Sequence, residues 1–307
     1  VTQPSARLLT PIAAPAPGIG ERAAPFVLVA PMLALLIVFT ILPCLLTLVL
    51  AFFETDILAG TIRFVGLSNF AKAFARGDLV NSIGVTLFYM ALTVPTSMIF
   101  GLLVALGINS LGHGRVFWRA VYFLPVAATL VAMSIVWRWM FVGRRGLIDH
   151  MLGPLTGITD WLNSPGLALP AVAVVGNWQQ IGFIAILYLA ALAAVPRHQL
   201  EAARVDGANG WNRFWHVTWP AIGPTTVFAG IITSVNAMRV FDSVSTMTGG
   251  GPSRHSQTLA HLMWERGIYF FDIGGGSVVT LVLVALALIA TFLQRVLTAR
   301  LEKAGSR

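Results

Sequence analysis

Three groups of polar residues could do chemistry in this 307-residue chain, which is only 10% charged. The first lies in residues 196–220 and gathers Arg197, His198, Glu201, Arg204, Asp206, Arg213 and His216. This is the longest polar interruption between hydrophobic blocks in the second half of the chain, and on its residues alone it reads as an amphipathic loop between membrane helices. The second is Asn177-Trp178-Gln179-Gln180, inside an apolar block. Its amides and indole offer hydrogen-bond donors and acceptors without net charge, which suits a hydroxylated solute or contacts between helices. The third is Asn236, Arg239 and Asp242. Arg239 and Asp242 are three residues apart, so on a helix they are expected to pair and offset part of each other's desolvation.

Other chemistries find no support. The six histidines (113, 150, 198, 216, 255 and 261) show no i, i+4 pair, and no His/Cys/Asp/Glu cluster has metal-ligand spacing. Gly249-Gly250-Gly251 lacks the Gly-Lys-Ser/Thr ending of a phosphate-binding loop, and with Thr248 and Pro252 it is expected to form a flexible turn. The single cysteine, Cys44, sits in an apolar block and permits no internal disulfide. No metal and no cofactor are expected on this chain.

The elements that must position these groups are membrane helices. The chain is 57% hydrophobic and only 10% charged, against roughly one quarter charged in soluble domains. About 20 apolar residues cross a bilayer, and six blocks qualify: 25–53, 82–109, 116–141, 167–195, 221–245 and 274–296. Pro95 and Pro125 should kink the second and third. Residues 1–24, with Pro4, Pro11, Pro15 and Pro17, read as a disordered cytoplasmic tail, and 297–307 as a short basic cytoplasmic tail. The block after the first tail is too long for the core of a cleavable signal. The formal charge of +8 follows loop asymmetry and not nucleic acid. With the N-terminus inside, the inner segments carry eleven Lys/Arg against four Asp/Glu, while the outer loops carry seven of each. The positive-inside rule therefore puts both termini and loop 196–220 in the cytoplasm. Trp137-Arg138-Trp139 reads as an interfacial girdle with a snorkelling arginine.

Loop 196–220 also has helical grammar. Glu201-Ala202-Ala203 favours helix, Gly207 and the following Asn209-Gly210 turn the chain, and a second short amphipathic helix is expected from Trp211 to Val217. Pro220 then opens the next block. The spacing of Glu201-Ala202-Ala203, Gly207, Val217 and Pro220 resembles the EAA loop of permease subunits of binding-protein-dependent ABC importers, whose pattern is roughly EAA-x3-G-x9-I-x-LP. Val217 replaces Ile, and Trp219 replaces Leu. Phe64-Val65-Gly66-Leu67-Ser68-Asn69-Phe70 and Arg239-Val240-Phe241-Asp242 followed by Thr248–Pro252 resemble the carbohydrate-uptake branch, with its MalF-like subunits. Gly146-Leu147-Ile148 is similar to the glycerol-phosphate uptake permeases and marks an outer amphipathic helix where a binding protein docks in that family.

The resemblance covers about residues 25–296. It implies an all-α integral membrane protein with six transmembrane helices and the type I ABC importer permease fold, multi-pass in a bacterial plasma (inner) membrane. It implies a heterodimer with a second permease, two ATPase subunits that bind the ATP and Mg, and an external solute-binding protein or lipoprotein. The chain itself is then not an enzyme. Glu201, Ala202, Ala203, Asp206, Gly207, Trp215 and Pro220 fall at the ATPase-coupling positions. Asn177, Trp178, Gln179, Gln180, Asn236, Arg239 and Asp242 fall along the solute pathway. A secondary transporter or channel that needs no ATPase, which gives the EAA-like loop no task, and a membrane enzyme, which no metal-spaced cluster supports, are the alternatives.

Overall fold

The computed structural model describes residues 19–56, 60–143, 145–158 and 160–305. Most of the proline-rich tail, and the last two residues of the basic one, lie outside the described residues. The chain falls into two compact units that divide after Thr47.

The first unit is helical. Helix α1 (Ile19–Leu36) starts inside the stretch expected as tail. It passes through a π-helical turn, Ile37–Ile41, into α2 (Leu42–Leu50). The turn has a local cause. Pro43 has no N–H and its ring crowds the carbonyl four residues back, so a wider turn relieves the clash. Phe26–Leu50 is long and apolar enough to cross a membrane, and its large apolar side chains stand exposed.

The second unit opens with a small antiparallel hairpin, β1 (Phe53–Asp56) and β2 (Thr61–Phe64), in which Glu54 faces Arg63. Helix α3 (Ser68–Ala75) follows. The core is the contact between α4 (Asp78–Ser110) and α8 (Ala168–Ala194). On α4 the buried residues are Ser82, Thr86, Tyr89, Thr93, Ser97, Gly101, Ala105 and Ile108, a stripe at helical spacing made mostly of small residues. Small residues let membrane helices approach closely, where packing must replace the missing hydrophobic drive. Gly101 shows how close: a Cβ there would stand 2.5 Å from Ile184 Cγ2.

The third expected span is broken. Helix α5 (Arg115–Ala127) and α6 (Leu130–Met140) meet at 96°. Pro125 weakens the end of α5, and Thr129 caps α6 by accepting from the Ala132 N–H at 3.4 Å. A simple kink was expected there; the cap allows a full bend. Arg138 is exposed and donates to the Thr246 carbonyl at 3.1 Å. Helix α7 (Leu147–Thr156) is the expected amphipathic helix, with Leu147, Met151 and Leu155 exposed and Ile148 packed on the core.

Beyond α8 come α9 (Arg197–Val205), α10 (Gly210–Arg213), a π-helical turn Phe214–Thr218, and α11 (Trp219–Met238). Short α12 (Asp242–Met247) and α13 (Leu259–Trp264) lead through a π turn, Glu265–Tyr269, to α14 (Ile273–Gly305). Helix α14 therefore continues through most of the stretch expected as a basic tail. Among the described residues, five helical segments are long and apolar enough to span a membrane, or six if the α5–α6 pair is one broken span. The six expected blocks correspond to these.

The glycine-rich turn after α12 is fixed rather than flexible. Thr248 and Ser256 share a hydroxyl hydrogen bond of 2.7 Å, and Thr258 donates to the Val240 carbonyl at 2.8 Å. Ser256, Gln257 and Thr258 are buried. Asp78, at the start of α4, holds this loop by accepting from Arg254 at 3.0 Å and also accepts from Arg266. These partners are far from Asp78 in the chain, so no local pattern announces the cluster.

Candidate functional site: a solute cavity and a coupling loop

The loop between α8 and α11 is built from local hydrogen bonds. Helix α9 ends at Val205, and Gly207 takes φ +76°, the left-handed conformation that glycine reaches without strain. The Gly207 N–H donates to Arg204 O at 3.1 Å and the Ala208 N–H to Ala203 O at 2.9 Å. These two bonds form a Schellman stop. Asn209 then caps the next helix, its Oδ1 accepting from the Asn212 N–H at 2.8 Å. Two turns of opposite purpose, stop and restart, thus fit into four residues.

Glu201, Ala202, Asp206 and Gly207 are exposed, and Ala203 is half-buried. Val205 is 88% exposed and Trp211 69%, an apolar surface facing away from the protein's own core. Leu200, Val217 and Trp219 anchor the loop by packing against the buried cluster that includes Ile108, Leu192 and Ile222.

The second short helix is not separate. α10 runs through the π turn directly into α11, so Pro220 lies in the first turn of a continuing helix. The wider π turn keeps the Pro220 ring off the carbonyl four residues earlier. Trp211, Trp215 and Trp219, each four apart, form a ladder with ring centroids 5.6 Å apart at both steps. Trp219, the departure from the family's Leu, ends that ladder.

The second site is a cavity of about 390 Å³ between α4, α6, α8 and the α11–α12 link. Gln179, Gln180, Asn236, Arg239 and Asp242 line it, together with Tyr89, Thr93, Thr233 and Phe241. Five of the seven expected pathway residues therefore meet around one space. Trp178 does not: it packs edge-on against Trp137 at 5.6 Å. Asn177 does not line the cavity either.

The neighbours Gln179 and Gln180 differ in what they touch. Gln179 Nε2 donates to Ala128 O at 3.1 Å and Pro125 O at 3.4 Å, satisfying carbonyls left open at the α5–α6 break. Gln180 lines the same cavity, and its buried Nε2 has no hydrogen-bond partner in the protein. It is an open donor.

The expected Arg239–Asp242 ion pair does not form. Helix α11 ends at Met238, Arg239 is its C-cap, and Asp242 starts α12. The helical i, i+3 geometry that would join them is lost, and among the described residues no ion pair connects them. Both side chains are left to the cavity. Tyr89, Thr93 and Thr233 were not singled out from the sequence, although Tyr89 and Thr93 continue the polar stripe on α4 at helical spacing. Phe241 lay inside the Arg239–Asp242 segment but was not named as a pathway residue.

The fold thus combines a charged loop on one connection with a polar cavity in the helix core, and the family it matches is one of transport permeases. Residues 64–303 match the family of binding-protein-dependent transport system inner membrane components, and the chain belongs to that family. It is an inner-membrane permease. Among its relatives, the sulfoquinovosyl glycerol transport system permease protein SmoG of Agrobacterium fabrum is 31% identical over 276 residues, covering 89% of each chain. The sn-glycerol-3-phosphate transport system permease protein UgpA of Rhizobium meliloti is 30% identical over 271 residues, covering 88% of this chain and 92% of the relative. A bacterial ABC transporter involved in the import of the acidic polysaccharide alginate has a subunit of the same fold. It superposes with TM-score 0.80 at 20% identity, over 92% of this chain and 97% of that one.

Proposed function

We propose that this chain forms, with a second permease, the translocation path of an ATP-driven importer for a hydroxylated, sugar-like solute bearing an acidic group. One observation carries the reading: Arg239 and Asp242 share a cavity with amides and hydroxyls without pairing with each other. Arg239 then serves an acidic group, Asp242 accepts from hydroxyls, and Gln180 and Asn236 supply neutral donors and acceptors. The named solutes of the relatives, sn-glycerol 3-phosphate and sulfoquinovosyl glycerol, have this chemistry, as does alginate for the structural neighbour.

In this reading both termini and the 196–220 loop are cytoplasmic, as the charge balance requires. Glu201, Ala202, Ala203 and Asp206 meet one of two ATPase subunits, Gly207 sets the angle between α9 and α10, and Trp215 and Pro220 transmit the motion into α11. ATP and Mg belong to the ATPase, and this chain performs no chemistry of its own. An external binding protein or lipoprotein delivers the solute.

The test is uptake by the assembled importer of radiolabelled sn-glycerol 3-phosphate and, in parallel, of a neutral disaccharide. The expected result is uptake of the phosphate ester, with Arg239→Gln losing most of it. Uptake of the neutral sugar alone, unaffected by Arg239→Gln, would reject the acidic-solute reading.

A further inference from the structure

Behind the cavity wall lies a histidine that the transport path does not touch. His261, on α13, is 3% exposed. Its ring stacks on Phe241 with centroids 6.0 Å apart and planes at 30°, and Trp264 packs on both rings at 5.7 Å. Phe241 lines the cavity. On another side His261 abuts Gly250, where a Cβ would come within 3.1 Å of the imidazole Nδ1 and Cε1. Gly250 holds φ +82°, so the turn can close over the ring only with glycine there.

The assembly is pinned at its base. Thr258 donates to the carbonyl of Val240, the residue before Phe241, at 2.8 Å. The Leu259 N–H donates to Thr86 Oγ1 at 2.9 Å. His261 Nδ1 itself has no hydrogen-bond partner. A buried neutral imidazole tolerates this at modest cost, whereas an imidazolium there would leave an N–H⁺ without an acceptor.

The charges around it are committed elsewhere. Glu265, on the π turn that continues α13, accepts from Gln257 at 2.7 Å. Arg266 and Arg254 are held by Asp78 of α4. Arg239 and Asp242, either side of Phe241, face the cavity. Asp272, ahead of α14, pairs with Arg76 at 3.7 Å. On the glycine-rich loop the remaining titratable group, His255, contacts the Pro252 carbonyl at 3.1 Å. Burial pushes the His261 imidazole below the ordinary histidine range, with Glu265 opposing in part.

We propose that His261 is a positioning residue: its neutral ring holds Phe241 as the wall of the solute cavity, and protonation releases that wall. The role in transport rests on the cavity being the solute path. The positioning itself does not, and the experiment separates the two.

In the assembled importer in membrane vesicles, Cys44→Ser removes the one native thiol of this subunit and Asn236→Cys places a thiol in the cavity. Reaction with a charged methanethiosulfonate reagent is followed on this subunit. His261→Ala is expected to raise the labelling rate about tenfold near neutral pH, and His261→Phe, which keeps a ring in the stack, to restore it. The ratio of the His261 rate to the His261→Phe rate cancels the thiol's own titration. It is expected to climb as pH falls through and below the ordinary histidine range, about 6.5. Wild-type labelling in His261→Ala, or a flat ratio, would overturn the proposal. Protection of the thiol by sn-glycerol 3-phosphate separately tests the solute reading.

Discussion

The 196–220 loop, proposed to couple to the ATPase, and the polar cavity, proposed to take solute, are built in opposite ways. The loop is contiguous: its stop, turn and cap lie within residues 203–212 and are made by bonds between near neighbours. The cavity takes its lining from α4, α6, α8 and the α11–α12 link, so residues more than a hundred positions apart face one space. In the proposed function the loop fits another subunit and moves as a unit, which local bonds favour, and the cavity opens and closes, which walls on separate helices favour. Damage to the loop should therefore be all-or-none for coupling, and damage to the cavity graded and solute-dependent.

Gly207→Pro should have the largest effect. Proline cannot adopt φ +76° and has no N–H to give Arg204. Uptake is expected to fall to background while the protein still inserts, as judged by its level in isolated membranes; substantial uptake would mean that the loop's angle does not matter. Arg239→Ala comes next, with KM for the acidic solute raised about tenfold or more, corresponding to ~1.4 kcal/mol or more of lost charge-assisted hydrogen bonding. An unchanged KM would move the acidic group elsewhere. Asp242→Ala should weaken uptake less than Arg239→Ala but clearly more than Glu54→Ala.

Gln179→Leu should act on stability and not on solute. It strips the donor from the Pro125 and Ala128 carbonyls. The cost is about 1–3 kcal/mol if those carbonyls stay dry, read as a lower unfolding temperature in detergent with KM unchanged. A shifted KM at constant stability would return Gln179 to the solute path. Glu54→Ala should do least. Glu54 ties the hairpin to α3 through Lys72 at 2.8 Å and to β2 through Arg63 at 3.2 Å, but these pairs are solvent-exposed. Lys72 first, then Arg63, holds the Glu54 carboxyl below its ordinary value. The tie is therefore present above the ordinary glutamate range and lost only as pH falls through the lowered value. Uptake near neutral pH should stay within about twofold of the parent.

The same contrast explains what the sequence could reveal. Glu201-Ala202-Ala203, Gly207 and Pro220 were legible because their geometry is local and their residue types carry the reason for each bond. So were the amides and the Asn236–Asp242 segment, since polar residues are costly in an apolar helix. What each of them does was not legible. Gln179 and Gln180 are adjacent in sequence yet do different work, and only the α5–α6 bend, 51 residues away, decides which. The break after Met238 that separates Arg239 from Asp242 overrode a sound rule for helices. Asp78, Phe241 and His261 gain their roles from partners on other elements. The fixed turn over 248–258 looked loose because three glycines usually mean freedom; here one of them, Gly250, permits close packing against His261.

In the proposed function the 196–220 loop converts ATP turnover into solute movement through this chain. Uptake of sn-glycerol 3-phosphate into proteoliposomes holding the assembled importer and its binding protein tests it most directly, with ATP sealed on the side of the 196–220 loop and the Gly207→Pro variant alongside. Accumulation is expected only with ATP, and the variant is expected to continue hydrolysing ATP without accumulation. Accumulation driven by an ion or solute gradient in the absence of ATP would contradict it.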